Sequence, residues 1–156
     1  MRVGAGLFAV ALVAGLAAAS CGGDGGGGGG EALTKEEWIA QADAICAGAN
    51  AQIDALGEPA GLEDVADFSA KAEEISRAQL EKLRALTPPE GDAAAVGEML
   101  GLVEQVIDEA AKLGDAAKEG DVGKINEIVA AIDPINERAD QLAQDYGLQE
   151  CGGENV

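Results

Sequence analysis

Histidine is missing from all 156 residues, and aromatic side chains make up 3% of them: one Trp, one Tyr and two Phe. Without histidine the chain lacks the commonest general base and the commonest metal ligand. Ser-His-Asp and Cys-His nucleophile arrangements are therefore excluded. So are the Glu-x-x-His motifs of di-iron bundles and haem attachment through Cys-x-x-Cys-His. Two methionines cannot make a soft copper site. Basic side chains are scarce as well, 10 Lys and Arg against 29 Asp and Glu, for a formal charge of −19. Such a surface repels phosphates, so no nucleic-acid partner is expected. No stretch alternates with a period of two, which removes strands from the reading.

What remains is abundant Ala, Leu, Ile and Val in a chain of single-domain length, the composition of a helical protein with a small aliphatic core. The first thirty residues stand apart from that domain. Arg2 is a minimal positive start, and Val3 to Ala19 is uncharged and apolar before small residues lead to Cys21. This is the grammar of an export signal. The apolar run of 17 residues is at the low end of the roughly 17–25 that cross a bilayer, and plain secretion and an uncleaved spanning anchor are the alternative readings. The stretch Ala18-Ala19-Ser20-Cys21 resembles a bacterial lipobox, in which the signal is cut before a cysteine that receives diacylglycerol. Its usual leucine, three residues before the cysteine, is here Ala18, with Leu16 further back. Residues 1–20 are thus expected to be a lipoprotein signal peptide, and Cys21 the lipidation site. Gly22 to Gly30, interrupted by Asp24, cannot bury apolar surface and reads as a flexible tether over 21–33. The twelve residues from Gly22 to Leu33 would reach roughly 20 Å, enough to hold an acidic domain beyond the screening length of about 8 Å at a charged bilayer.

Three cysteines are present: Cys21, Cys46 and Cys151. Lipidation of Cys21 would leave one pair, in a compartment where disulfides persist. A Cys46–Cys151 bridge is expected on that count. Two free thiols or a metal site are the alternatives, although two thiolates fall short of the four ligands zinc takes.

Four helical segments are legible between residues 34 and 151. Thr34 and Glu37 form a capping box, after which Ile39, Ala42, Cys46, Ala49, Ile53 and Leu56 recur at helical spacing, widened by Trp38 and Ile45. A second helix from about Glu63 to Leu86 carries Val65, Phe68, Ala72, Ile75, Leu83 and Leu86 on one face. Gln79 sits in the stripe and reads as a buried amide bonded to nearby backbone. "TPPE" (87–90) suggests another capping box, Thr87 with Glu90, with Pro88 in the first turn. The third helix runs to about Lys118 through Val96, Leu100, Val103, Ile107, Ala110 and Leu113. Its Gly97, Gly101 and Gly114 mark either a close neighbour or a softer helix. Asp121 is a cap for a fourth segment with Ile125, Ile128, Ile132, Ile135, Ala139, Leu142 and Tyr146 on one seam. Pro134 is expected to kink or break it, with Asp133 available to recap. Gly147 is a terminator.

Short loops between four amphipathic helices predict an all-α, antiparallel up-down four-helix bundle. In that topology the last helix ends beside the start of the first. Cys46 lies about 16 Å along its helix from Lys35, and Tyr146 to Cys151 spans at most about 17 Å. The bridge therefore requires the segment "GLQEC" to fold back and pack along the first helix. Residues 152–156 are expected to be loose.

The stretches "WIAQADAICAGAN" (38–50), "LRALTPPE" (83–90) and "YGLQECGG" (146–153) resemble a pattern in small actinobacterial lipoproteins and secreted proteins of unknown role. That resemblance implies a helical domain with the cysteines of its first and last segments paired, and it carries over no catalytic or binding residues. The acid-rich "EKLRALTPPEGD" and "AIDPINERAD" lack the Asp-x-Asp-x-Asp-Gly pattern of a calcium loop and read as solvated faces. Glu73 and Glu74 beside Arg77, and Glu137 beside Arg138, read as surface charge pairs. The expected function is that of a non-enzymatic, monomeric module without cofactor, anchored through Cys21 to the extracytoplasmic face of the cell membrane. There it would bind an envelope component or act as a spacer. The alternative is a carrier of a small ligand or cation inside the bundle, which a large interior cavity with converging Gln79 or acidic side chains would favour, a packed core and featureless acidic exterior favouring the first.

Overall fold

The computed structural model describes residues 32–152. The expected signal, Cys21 and the glycine tract lie outside the described residues, as do residues 153–156. Four helices follow one another: α1 (Lys35–Asp54), α2 (Leu62–Ala85), α3 (Ala93–Glu119) and α4 (Val122–Tyr146). There are no strands among the described residues.

Helix α1 begins with the capping box expected of "TKEE". The Thr34 hydroxyl accepts from the Glu37 amide at 3.2 Å, and the Glu37 carboxylate accepts from the Thr34 amide at 3.0 Å. These bonds favour the charged form, so the Glu37 carboxyl titrates below its usual range. Asp121 caps α4 by accepting from the Lys124 amide at 2.9 Å. Where α3 ends, the Gly120 amide donates to Ala117 and the Asp121 amide to Ala116, the paired bonds of a Schellman motif.

The capping box expected at "TPPE" does not form. Helix α3 starts later, at Ala93, with Asp92 at the N-cap making no side-chain capping bond. The reason is the second proline. A residue before proline is pushed out of the helical region, so Pro88, followed by Pro89, cannot open a helix. The chain instead turns through Gly91 at φ +91°, with the Asp92 amide donating to the Pro89 carbonyl at 3.1 Å. Pro134, by contrast, does not break α4, which runs unbroken past it, so Asp133 recaps nothing. Both Pro134 and Ala130 are exposed, and the carbonyl left without its donor lies on the solvent side of the helix.

Cross-helix pairs fix the directions. Arg77 of α2 meets Asp108 of α3 at 3.0 Å, and Arg84 meets Glu104 at 2.7 Å. Higher numbers on α2 face lower numbers on α3, as antiparallel neighbours require. Arg138 of α4 reaches Glu98 of α3 at 3.4 Å rather than the adjacent Glu137, because residues one apart do not share a helix face. Arg77 also holds Glu73 at 2.8 Å. The cross-helix pairs are exposed and set register more than stability.

Helices in sequence order pack against each other, and the molecule is an antiparallel four-helix bundle. Its last side is unusual. Helix α1 packs on α2, α2 on α3 and α3 on α4, while α1 and α4 have no backbone approach of that kind. The C-terminal segment fills the difference. Leu148 is 2% exposed and belongs to the core with Trp38, Cys46, Leu83, Val96, Leu100 and Ile107. Apolar area removed from water is worth about 25 cal/mol per Å², so a tail leucine packed this deeply contributes as a core residue does.

Candidate functional site

The site is organised around the end of α4. Gly147 adopts φ +111°, a left-handed conformation that a side chain would strain. That conformation lets its amide donate to Gln144 and the Leu148 amide to Ala143, a second Schellman motif. The reversal drives Leu148 into the gap between α1 and α4. Asp43 of α1 then captures the next two residues, its carboxylate accepting from the amides of Gln149 at 3.0 Å and Glu150 at 2.9 Å. The Asn50 amide donates to the Glu150 carbonyl at 3.1 Å. Cys151 is bonded to Cys46, with their Cα atoms 5.2 Å apart. The two cysteines sit where the folded-back tail was expected to bring them, and neither is a free thiol or a metal ligand.

The packing continues one residue further than the sequence suggests. Gly152 is buried rather than loose, and Gln144 donates to its carbonyl at 3.0 Å. A methyl group on Gly152 would lie 2.9 Å from the Ala143 side chain and 3.2 Å from the Asp140 carbonyl. Only glycine lets the chain lie this close to α4.

The tail, the disulfide and all four helices border a cavity of about 110 Å³. Its walls are mostly aliphatic, with Leu83 of α2, Leu100, Val103 and Ile107 of α3, and Ala139 of α4 among them. Polar residues interrupt them: Asn50, Ser76, Gln79, Asn136, Asp140 and Glu150. Gln79 is half-buried, and its amide points at the clasp, donating to the Cys46 sulfur at 3.1 Å. It is therefore bonded to sulfur, not to the backbone expected from the sequence. Asp140 accepts from the Asn136 amide at 3.3 Å, and no Lys or Arg lies within ion-pair distance of it among the described residues. Burial pushes the Asp140 carboxyl above its ordinary value.

Trp38 completes the wall. It is wholly buried, and its indole Nε1 is the sole buried side-chain nitrogen or oxygen without a hydrogen-bond partner among the described residues. A buried donor left unmade costs on the order of 1–3 kcal/mol. Its ring meets Tyr146 edge to face at 5.4 Å, with the Lys35 ammonium 4.2 Å from the tyrosine ring centre on the outer side.

Sequence reasoning places Asn136 and Asp140 in "AIDPINERAD", read as a solvated face, whereas the structure half-buries both at the cavity wall. They lie one turn apart, immediately beside the seam residues Ile135 and Ala139, and the spacing that marks the seam also hides the polar pair flanking it. The orphan indole has no sequence signature. Chemically, two carboxylates, three amides and a hydroxyl among aliphatic walls can bind and orient a small molecule. Among the described residues no group of three or more His, Cys, Asp or Glu side chains converges as a metal ion would need, and no helix is long and apolar enough to cross a membrane. No protein-family model, curated protein or solved structure matches this chain.

Proposed function

We propose that the protein is an exported bacterial lipoprotein, held by acyl chains on Cys21 at the outer face of the cytoplasmic membrane. In this reading the helical bundle stands off on its glycine tether as a non-enzymatic binding module or spacer in the envelope. The observation that carries it is the Cys46–Cys151 bond. It closes a loop of 105 residues and consumes two of the three cysteines, which supports residence in an oxidising compartment. Cys21 is the cysteine left over, between an apolar leader and a glycine tract. The likeness to small actinobacterial lipoproteins supports the same assignment. Fractionation of cells producing the full chain tests it. The protein is expected in the membrane fraction, and Cys21→Ser is expected to release it or leave the precursor uncut. Unchanged partition of Cys21→Ser would overturn the anchor.

A specific observation favours a second reading, that of a small-ligand carrier. The bundle contains a cavity of about 110 Å³ whose lining includes Gln79 and the acidic Asp140 and Glu150. The two readings are compatible, since a tethered module can also hold a small molecule.

A further inference from the structure

The two sulfurs of the Cys46–Cys151 bond have different surroundings, and the difference bears on how the bond would open. Cys46 is wholly buried, whereas Cys151, next to the exposed Glu150, is half-buried. An attacking thiol therefore meets Cys151 first. Gln79 donates its amide to the Cys46 sulfur at 3.1 Å. A disulfide sulfur is a weak acceptor, and the same atom as a thiolate is a strong one. The Cys151 sulfur lies 3.4 Å from the Ala42 carbonyl oxygen. That oxygen can accept from a Cys151 thiol, which favours the neutral form over the thiolate there. Exchange is faster when the departing thiol is the more acidic. Burial, the Gln79 donor and the Ala42 acceptor thus agree: Cys151 is the sulfur to attack and Cys46 the sulfur to leave.

We propose that the Cys46–Cys151 bond is a thiol-exchange site of fixed polarity whose substrate is an external dithiol. One thiolate of the dithiol forms a bond to the Cys151 sulfur. The Cys46–Cys151 bond breaks, and its electron pair passes to Cys46, where the Gln79 amide holds the charge. The second thiolate of the dithiol then displaces Cys151. The dithiol ends as a disulfide, and its two protons end on Cys46 and Cys151. Glu150 beside the attacked sulfur and the chain's charge of −19 favour an attacker that carries a positive group over one that carries a carboxylate. Opening the bond removes the covalent hold on the tail. What then holds it is the packing of Leu148 and the hydrogen bonds from Asp43, Asn50 and Gln144, on the side of the bundle where α1 and α4 do not approach each other. Leu148, Glu150 and Cys151 also line the cavity, so release of the tail opens that wall. The exchange itself does not depend on a ligand being carried.

Thiol exchange on the full chain carrying Cys21→Ser, which leaves Cys46 and Cys151 as its cysteines, tests the proposal in buffer without denaturant. Cysteamine is the monothiol probe, and peptide mapping after an acid quench locates it. The adduct is expected on Cys151, with Cys46 as the free thiol. An adduct on Cys46, or on both alike, would overturn the polarity. Dithiothreitol supplies the rate of opening. Gln79→Met keeps the length of the side chain and removes the donor, and it is expected to slow reduction about tenfold, the loss of one hydrogen bond to a charged leaving group. An unchanged rate, in a variant whose circular dichroism matches that of the parent, would overturn the role of Gln79. Hydrogen exchange of the reduced chain is expected to rise in residues 147–152 while α2 and α3 keep their protection. If neither thiol opens the bond in the folded protein, or if reduction strips protection from every helix, the bond is a permanent clasp and the proposal fails.

Discussion

Trp38 and Tyr146, the sole tryptophan and the sole tyrosine, meet edge to face with ring centres 5.4 Å apart and planes at 84°. They pin the first turn of α1 to the last turn of α4, on the one side of the bundle where those helices do not otherwise meet. The Tyr146 hydroxyl donates to Asp92 at 2.8 Å and so ties the same corner to the start of α3. Trp38→Ala is expected to cost about 3–5 kcal/mol, the usual loss for a buried aromatic. Tyr146→Phe, which keeps the ring and loses one hydrogen bond, should cost about 1 kcal/mol. Urea unfolding of the two variants measures both, and equal losses would contradict the assignment.

The same tyrosine gives a pH signature. Burial, then the bond to Asp92 and that residue's negative charge, push the Tyr146 hydroxyl up to about 12. In the unfolded chain it titrates near its ordinary value of about 10. Between those values the unfolded state gives up the proton and the native state keeps it, so stability falls as pH rises through the window. Below about 10 the contribution is fully present. Tyrosinate absorbance should rise late in the native protein and earlier in Asp92→Asn. A native transition at the ordinary value would remove the Asp92 contact.

The glycines of α3 and the tail separate by their surroundings. Gly97 and Gly101 have nothing within 4 Å of where a methyl would go, so Gly97→Ala should stabilise the protein by about 0.5–1 kcal/mol. Gly114 differs, because a methyl there would lie 3.5 Å from the Ala66 carbonyl and 3.6 Å from Ser69. It is the close neighbour that the sequence left open. Gly152→Ala forces the tail off α4 and is expected to cost about 1–3 kcal/mol. Thermal melts of the two alanine variants rank them, and a destabilising Gly97→Ala would contradict this packing.

Removing the clasp has a larger effect. Chain entropy gives a bridge across a loop of this length about 4.7 kcal/mol, and losses of native disulfides run near 2–5 kcal/mol. The double variant Cys46→Ser with Cys151→Ser should lose stability in that range. Because Leu148 and Gly152 are buried by the tail this bond holds, proteolysis should nick residues 147–152 first. Cleavage in the α2–α3 loop ahead of the tail would show that the bond does not hold the corner.

Much of the fold was legible from residue spacing. The helix seams, the Thr34 and Asp121 caps, the Gly147 terminator and the pairing of Cys46 with Cys151 are local signals or simple counts, and each reads directly. The misreadings share one cause: a neighbour overrides a local pattern. Pro89 forbids the helix start that Thr87, Pro88 and Glu90 advertise. Gln79 finds a sulfur because the disulfide lies beside it. Gly152 resembles a loose end until Ala143 and Asp140 are placed next to it. The cavity was the least legible feature, since its polar wall is assembled from α1, α2 and α4, none of which announces the others.

Mass spectrometry of the protein isolated from its own envelope tests the central claim most directly. Under non-reducing conditions the account predicts a mature chain that begins at an acylated Cys21, with the peptides holding Cys46 and Cys151 joined to each other. An unmodified Cys21, or a bond from Cys21 to either partner, would contradict it.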